Sequence, residues 1–393
     1  MKPIELSDYT AVELLGSLNI DLKKMAVAER LLELGIPGNK TEQYRHFAIK
    51  PLLNREYTLA QPQQGDLKTG ENTLEIRDGI VTTVPEGVNV TFQTNVEADK
   101  EHYDALYYLS HLLAPRYIVL TIESDTDITI AHHLNSEQTL IPYRLIIKTA
   151  PVCRVSVYET FDTALSNESL LLYGVDVHVG RDGGLTWIRN QTVHADEAVV
   201  IGSHRYDLHS QAELTLQTFD FGTGTAMHLY KNDLADHTES KVSHLLFAAG
   251  KARRGNVVNL RHNGIYAKSV HQAKSIIRDK ATGIFDGLIR VDHDARYANA
   301  KQNSKAILLN DHAFMEAKPQ LEIYTDELEA SHGSTTGQLD EAALFYLRSR
   351  GIELNEARKM LILAFVNEMI AEVQNEALAE KIRDDFEAAY YKG

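Results

Sequence analysis

The sequence predicts a mainly β protein, with one long body of strands set between two helical ends. Three observations predict it. From about residue 72 to 325 apolar residues recur at every second position, turn dipeptides punctuate that stretch, and helical spacing is confined to the two ends apart from a short helix expected around 103–113. The 393 residues are 44% hydrophobic and 24% charged, which provides a sizeable core and argues against a disordered chain. At roughly 150 residues per domain the length fits two or three domains, or one large β domain with helical appendages.

Taken in order, Leu22, Met25, Leu31 and Leu32 fall near helical spacing, with Asp21 as N-cap and Gly35 as the stop. Pro51, Pro62 and the QPQQGD run at 61–66 read as a linker, so residues 1–70 are expected to form a small helical domain. In the β body, Val88, Val90 and Phe92 alternate with polar residues. Ile118, Leu120 and Ile122 repeat the pattern, as do Ile128 with Ile130, Val155 with Val157, and Val175, Val177 and Val179. Asp78-Gly79, Asp182-Gly183, Asn263-Gly264 and Asp286-Gly287 are the expected turns. Sandwich, barrel, propeller and β-helix all produce such a string, and the 23-residue spacing of Gly264 and Gly287 does not decide between them. The body is expected to span 71–336. In the last zone, 337–393, Asp340 caps a helix through EAALFYLRSR that stops at Gly351, and Asn355 caps a second helix. The second helix carries the stripe Ile362, Phe365, Met369 and Val373, widened by Leu361, Ala364 and Val366. The short joint makes a helical hairpin, whose apolar face is either packed on the body or offered to a partner.

Several function classes are excluded. A formal charge of -15, from 55 acidic and 40 basic residues, opposes a free-standing nucleic-acid binder. The one cysteine, Cys153, rules out an intrachain disulfide framework, a four-cysteine zinc site and an iron-sulfur cluster on this chain's own thiolates, and points to the reducing cytosol. The first residues do not read as a signal peptide, and no run approaches the roughly 18 apolar residues of a membrane span. GKARRGN at 250–256 lacks the Lys and Ser/Thr of a phosphate loop, and GTGTAM at 222–227 lacks the third glycine of a dinucleotide fingerprint. No His-Glu-x-x-His or Gly-x-Ser-x-Gly is present. Of 17 histidines, His132-His133 and the pair His204 and His209 point to opposite faces of a regular strand, so each is read as a surface or hydrogen-bonded residue. Cys153 is read as a small buried thiol. Residues 250–305 hold 12 basic residues against 4 acidic, and 316–393 hold 16 acidic against 8 basic. The basic segment is read as a solvated face, or as a contact for an anionic ligand or partner.

KPQLEIYTDELEASHGSTTGQLDEAALFYLRSRGI at 318–352 closely resembles the C-terminal signature of the SufB/SufD family of iron-sulfur cluster assembly proteins. SIIRDKATGIFDGLIRV at 275–291 and TEQYRHFAIKPL at 41–52 are similar to other family stretches. Gly333 after Ser331-His332, and Ser304 at the aligned thiol position, resemble the SufD branch. Ala330 departs from it, since a cysteine often precedes the Ser-His pair there.

The resemblance implies a right-handed parallel β-helix core flanked by N- and C-terminal helical domains. It implies a non-catalytic scaffold subunit that pairs with SufB and docks the SufC ATPase through its C-terminal hairpin, with Leu344, Phe345, Tyr346, Leu347 and Arg350 as partner-binding residues. It also implies that His332 shares iron with a SufB thiolate, that no cofactor is held by this chain alone, and that iron or a nascent cluster resides transiently at the contact with SufB. A homodimer in isolation is compatible with it. Two alternatives are a SufB-type scaffold holding the cluster directly, which Ser304 opposes, and a β-helix enzyme acting on anionic polysaccharide through 250–305.

Overall fold

The structure, a computed structural model, describes residues 24–38, 40–60, 65–163, 168–193 and 198–392. The alternation read in the sequence becomes a β-solenoid of two parallel sheets. Strands beginning at residues 139, 170, 199, 225, 253, 282 and 314 pair successively in the first sheet. Those beginning at 126, 154, 184, 213, 239, 268, 298 and 328 pair in the second. Each coil contributes one strand to each sheet, and both sheets turn one face inward, so a β-helix is the architecture among the four that the periodicity left open.

Coil length is unequal, and paired residues such as Val258 and Gly287 lie further apart than the 23-residue glycine spacing. That spacing is therefore not a coil repeat. Gly287 is also not in a turn: Asp286-Gly287 lies inside the strand Thr282–Val291. The glycine is needed there because a Cβ would collide with the side-chain amide of Gln302. The other expected turns form, with Asp78 and Gly79 both at positive φ in an antiparallel hairpin. Left-handed Val152, Asp182, Gln211, His237, Tyr266 and Tyr297 mark one corner coil after coil, each N–H bonded to a carbonyl of the next coil.

The two ends of the solenoid differ. The N-terminal edge is blunted by the three-residue strand Lys68–Gly70 and by the antiparallel strand Asn89–Gln93. The C-terminal end stops at two ten-residue strands, Phe314–Ile323 and Leu328–Gly337, each the last of its sheet.

Helices cover both outer faces. Helix α1 (Met25–Leu34) ends at Gly35, whose N–H bonds to the Leu31 carbonyl. Its N-cap is Lys24, while the expected cap Asp21 and Leu22 lie outside the described residues. Together with α2 (Ile49–Leu53) and α3 (Ala105–Leu113, capped by Asp104), it packs on the first sheet's outer residues Leu140, Leu172, Ile201, Leu229 and Val257. The N-terminal helices are thus part of one continuous core with the β body. At the other end α4 (Glu341–Ser349) is capped by Asp340 and stops at Gly351, whose φ of 86° only glycine adopts freely. Helix α5 (Leu354–Ile370) is capped by Glu353, whose extended backbone lets its carboxylate accept from the Asn355 N–H. The expected cap Asn355 is already in the first turn. A further helix, α6 (Glu376–Lys392), was not part of the predicted hairpin.

The stripe of α5 is largely consumed by the body. Ile362, Val366, Met369 and Val373 are buried with Ile382 and Phe386 of α6 against Phe219, Phe221, Leu245 and Phe247 of the second sheet. Arg278 ties the layers by lying over the Phe247 and Tyr390 rings and donating to the Tyr390 carbonyl at 2.8 Å.

Candidate functional site

Two surfaces remain uncovered at the C-terminal end. The first is α4, which has no buried residue. Phe345 and Tyr346 are 75% and 57% exposed, Leu344 and Leu347 are half-buried, and the exposed Arg350 lies over the Tyr346 ring at 5.3 Å. The helix overhangs a groove of about 860 Å³ lined by Leu308, Leu309, Leu339, Leu344 and Ile362, with Arg358 and Lys359 beside it. All five residues that the sequence singles out for partner binding therefore belong to one short helix and its end. The apolar face open to a partner is on α4, because that of α5 is already packed.

The second surface is the open strand end. His332 lies exposed in the terminal strand Leu328–Gly337, its Nδ1 3.2 Å from the Pro319 carbonyl. If that ring nitrogen donates to the carbonyl, Nε2 keeps a free lone pair. His332 pairs in register with Gln302, which pairs with His271 one coil further in. These three border a cavity of about 390 Å³ at the mouth of the solenoid, with Lys301 and Ser331 on its rim. Among the described residues no group of three or more His, Cys, Asp or Glu side chains could enclose a metal ion. Of the two imidazoles at this mouth, His271 is buried and His332 is exposed, so a metal ion bound at His332 would need further ligands from elsewhere. Ser304 is buried behind the mouth, on the inner face of its strand.

Behind the mouth the solenoid interior is unusually polar. Arg189 donates to His228 Nδ1 at 2.9 Å, His204 Nε2 lies 3.1 Å from the same atom, and His228 Nε2 reaches Gln191 Oε1 at 3.0 Å. Thr218 and His244 are 2.7 Å apart, and the Gln302 amide reaches His271 Nδ1 at 3.1 Å. Glu159 is held by His132 at 3.0 Å and by the Trp187 indole at 2.9 Å. Burial opposes its charge, but these bonds and the nearby Arg189 keep its carboxyl below the usual range. Burial, then Arg189, holds His204 and His228 well below the ordinary imidazole value, and burial pushes His271 down to about 3.

His132, His204, His228, His244 and His271 are thus interior, hydrogen-bonded residues. His133 faces the other side of its strand, and His209 is exposed in the turn after the strand Val199–Leu208. Cys153 is buried in the apolar core, as expected of a structural thiol. The basic segment is largely spent on internal partners. Arg254 pairs with buried Asp220, Arg261 bridges Glu101 and Asp292, Lys268 meets Glu239, and Lys274 meets Glu368.

The structure is thus a β-solenoid covered on its outer faces, with a terminal strand end and one aromatic helix left uncovered. The chain belongs to the SufBD core domain family of the SUF system of FeS cluster assembly, whose model matches residues 132–365. It is 37% identical over 123 residues to the iron-sulfur cluster assembly protein SufD of Escherichia coli, covering 31% of this chain and 29% of that protein. It is 26% identical over 274 residues to SufD of Bacillus subtilis, covering 62% and 61%. A SufBD family protein of Pyrococcus horikoshii is 32% identical over 126 residues, covering 32% and 27%. The matched stretches thus span between about a quarter and three fifths of these relatives. Among the described residues no helix is long and apolar enough to cross a membrane.

Proposed function

We propose that this chain is a non-catalytic scaffold subunit of a cytosolic SUF complex, pairing with SufB at the open strand end and docking the SufC ATPase through α4. The observation that carries the docking half is the aromatic exposure of α4 on a body whose other helices are packed. Phe345, Tyr346, Leu344 and Leu347 supply the apolar contact and Arg350 a cation at its edge. Iron, as cargo, would be taken up between His332 and a thiolate of SufB. Neutral imidazole is a borderline ligand, and it suits a site that must also release. The phosphate chemistry would belong to SufC.

Replacing Phe345 and Tyr346 by Asp and Ser is expected to abolish copurification of SufC from a coexpressed complex while leaving the thermal stability of the chain unchanged, because neither ring is buried. Undiminished capture of SufC would overturn the docking assignment. In the intact complex, His332→Ala is expected to lower retained iron at least about fivefold, the loss of one of very few ligands. Full retention, measured by metal analysis of the purified complex, would reduce His332 to an ordinary surface residue.

A further inference from the structure

The polar groups inside the solenoid form a file. His271 and His244 rings lie 5.3 Å apart between centroids, His244 and Tyr230 5.3 Å, Tyr230 and His204 5.0 Å, and His204 and His228 5.4 Å. Each is nearly or wholly buried. Along this file His271 Nε2, His244 Nε2, His204 Nδ1, Gln191 Nε2, Gln302 Oε1 and Ser304 Oγ have no hydrogen-bond partner among the described residues.

The hydrogen bonds already made fix what these atoms need. His271 Nδ1 accepts from the Gln302 amide, so its Nε2 carries a hydrogen and needs an acceptor, and Gln302 Oε1 needs a donor. His228 donates its Nε2–H to the Gln191 side-chain carbonyl and accepts at Nδ1 from Arg189, which leaves Gln191 Nε2 as a donor without an acceptor. Donors and acceptors are therefore interspersed. An anion would serve only the donors and a cation only the acceptors. Water serves both, and groups of this kind left dry in a protein core cost of the order of 1–3 kcal/mol each.

The file opens at the mouth, since His271 and Gln302 form its outer end and also line the mouth cavity beside His332. We infer that the solenoid interior is a hydrated conduit for water and protons, running from the mouth between His271 and Gln302 inward past His244 to His204, His228 and Gln191. Its walls are Ala273 and Phe285 on one side and Leu216 and Val242 on the other, which confine the polar line to a narrow core. Because the groups are bonded imidazoles, amides and hydroxyls, a proton can pass along them by tautomer exchange without a net charge being buried.

The consequence for iron-sulfur chemistry rests on the reading of the mouth given above. When a thiol or hydrosulfide binds iron, an S–H bond breaks, an iron–sulfur bond forms, and the proton must leave. A water at the mouth can take that proton when two chains have closed the outer surface; no electron moves in the step.

The test uses the 393-residue chain alone, so its failure is distinct from failure of the partner assignments. With histidine and tryptophan labelled in nitrogen-15, ring N–H exchange with solvent is measured by NMR. The Trp187 indole, buried and bonded to Glu159, is the internal reference for a closed interior. Ring N–H groups of His244 and His228 are expected to exchange at least about tenfold faster than Trp187. His271→Phe, which fills the mouth with an apolar ring, is expected to slow both by about tenfold and leave Trp187 unchanged. Gln302→Met should do the same, and it serves if the first variant folds poorly. Exchange at His244 no faster than at Trp187, or exchange unaltered in both folded variants, overturns the conduit.

Discussion

Taking the isolated chain from about pH 7.5 to about pH 5 is expected to unfold the solenoid, well before its carboxylates titrate. Burial is the largest cause in each case: it pushes His102 and His271 down to about 3, and His111 and His262 down to about 4. An unfolded histidine titrates near 6.5, so between that value and about 4 the unfolded chain binds protons that the folded chain refuses. Their stabilisation is fully present above about pH 6.5 and is lost as pH falls. Each of the four costs about 2 kcal/mol at pH 5, together a large part of the 5–15 kcal/mol typical of a folded domain. His204, His228 and His244 act in the same direction. Asp104, Asp233 and Asp286, whose carboxyls burial raises, act oppositely, and chiefly nearer pH 4. Fluorescence of the sole tryptophan, buried Trp187, reports the transition. A midpoint below about pH 4 would show that the interior histidines accept protons in the folded chain at little cost.

Phe386→Ala is the second change with a large expected effect. Its ring is fully buried, 5.5 Å from Phe221 and 5.7 Å from Phe247 between centroids, and it holds α6 and, through it, α5 to the second sheet. Truncating a buried phenylalanine costs about 3–5 kcal/mol. The expected result is local: amide exchange in α5 and α6 rises by at least about a hundredfold, while strands 139–291 keep their protection. Because α4 is carried on α5, the proposed docking of SufC is expected to weaken although no residue of α4 has changed. Uniform loss of protection along the chain would show instead that helices and solenoid unfold as one unit.

The sequence made the β body legible through its period of two, and the caps Asp340, Gly35 and Gly351 through their residue types. It did not reveal the solenoid. Strands of one sheet begin at 139, 170, 199, 225, 253 and 282, steps too unequal to appear as a repeat. A turn dipeptide such as Asp286-Gly287 also reads alike whether glycine serves a turn or a close approach. The family signature supplied the architecture that periodicity left open. The exposure of α4 followed from its position, but the burial of the α5 stripe did not, since an apolar face does not say what covers it. The interior histidines were readable in principle. His132 shares parity with Ile128 and Ile130, and His244 with Val242 and Leu246, which puts both on the buried face. Read only as the sequence neighbours His132-His133 and His204 with His209, the histidines concealed the common line that only the strand register reveals.

The unequal ends of the solenoid limit the size of what it can build. Its first coil closes in short and antiparallel strands, and only its last coil ends in long parallel ones. Two such molecules, or one and a relative, that meet through their last coils leave only blunted edges facing outward. The resulting stack is finite at two bodies, so a fold whose backbone pattern is that of a growing fibre becomes a chain terminator on both sides.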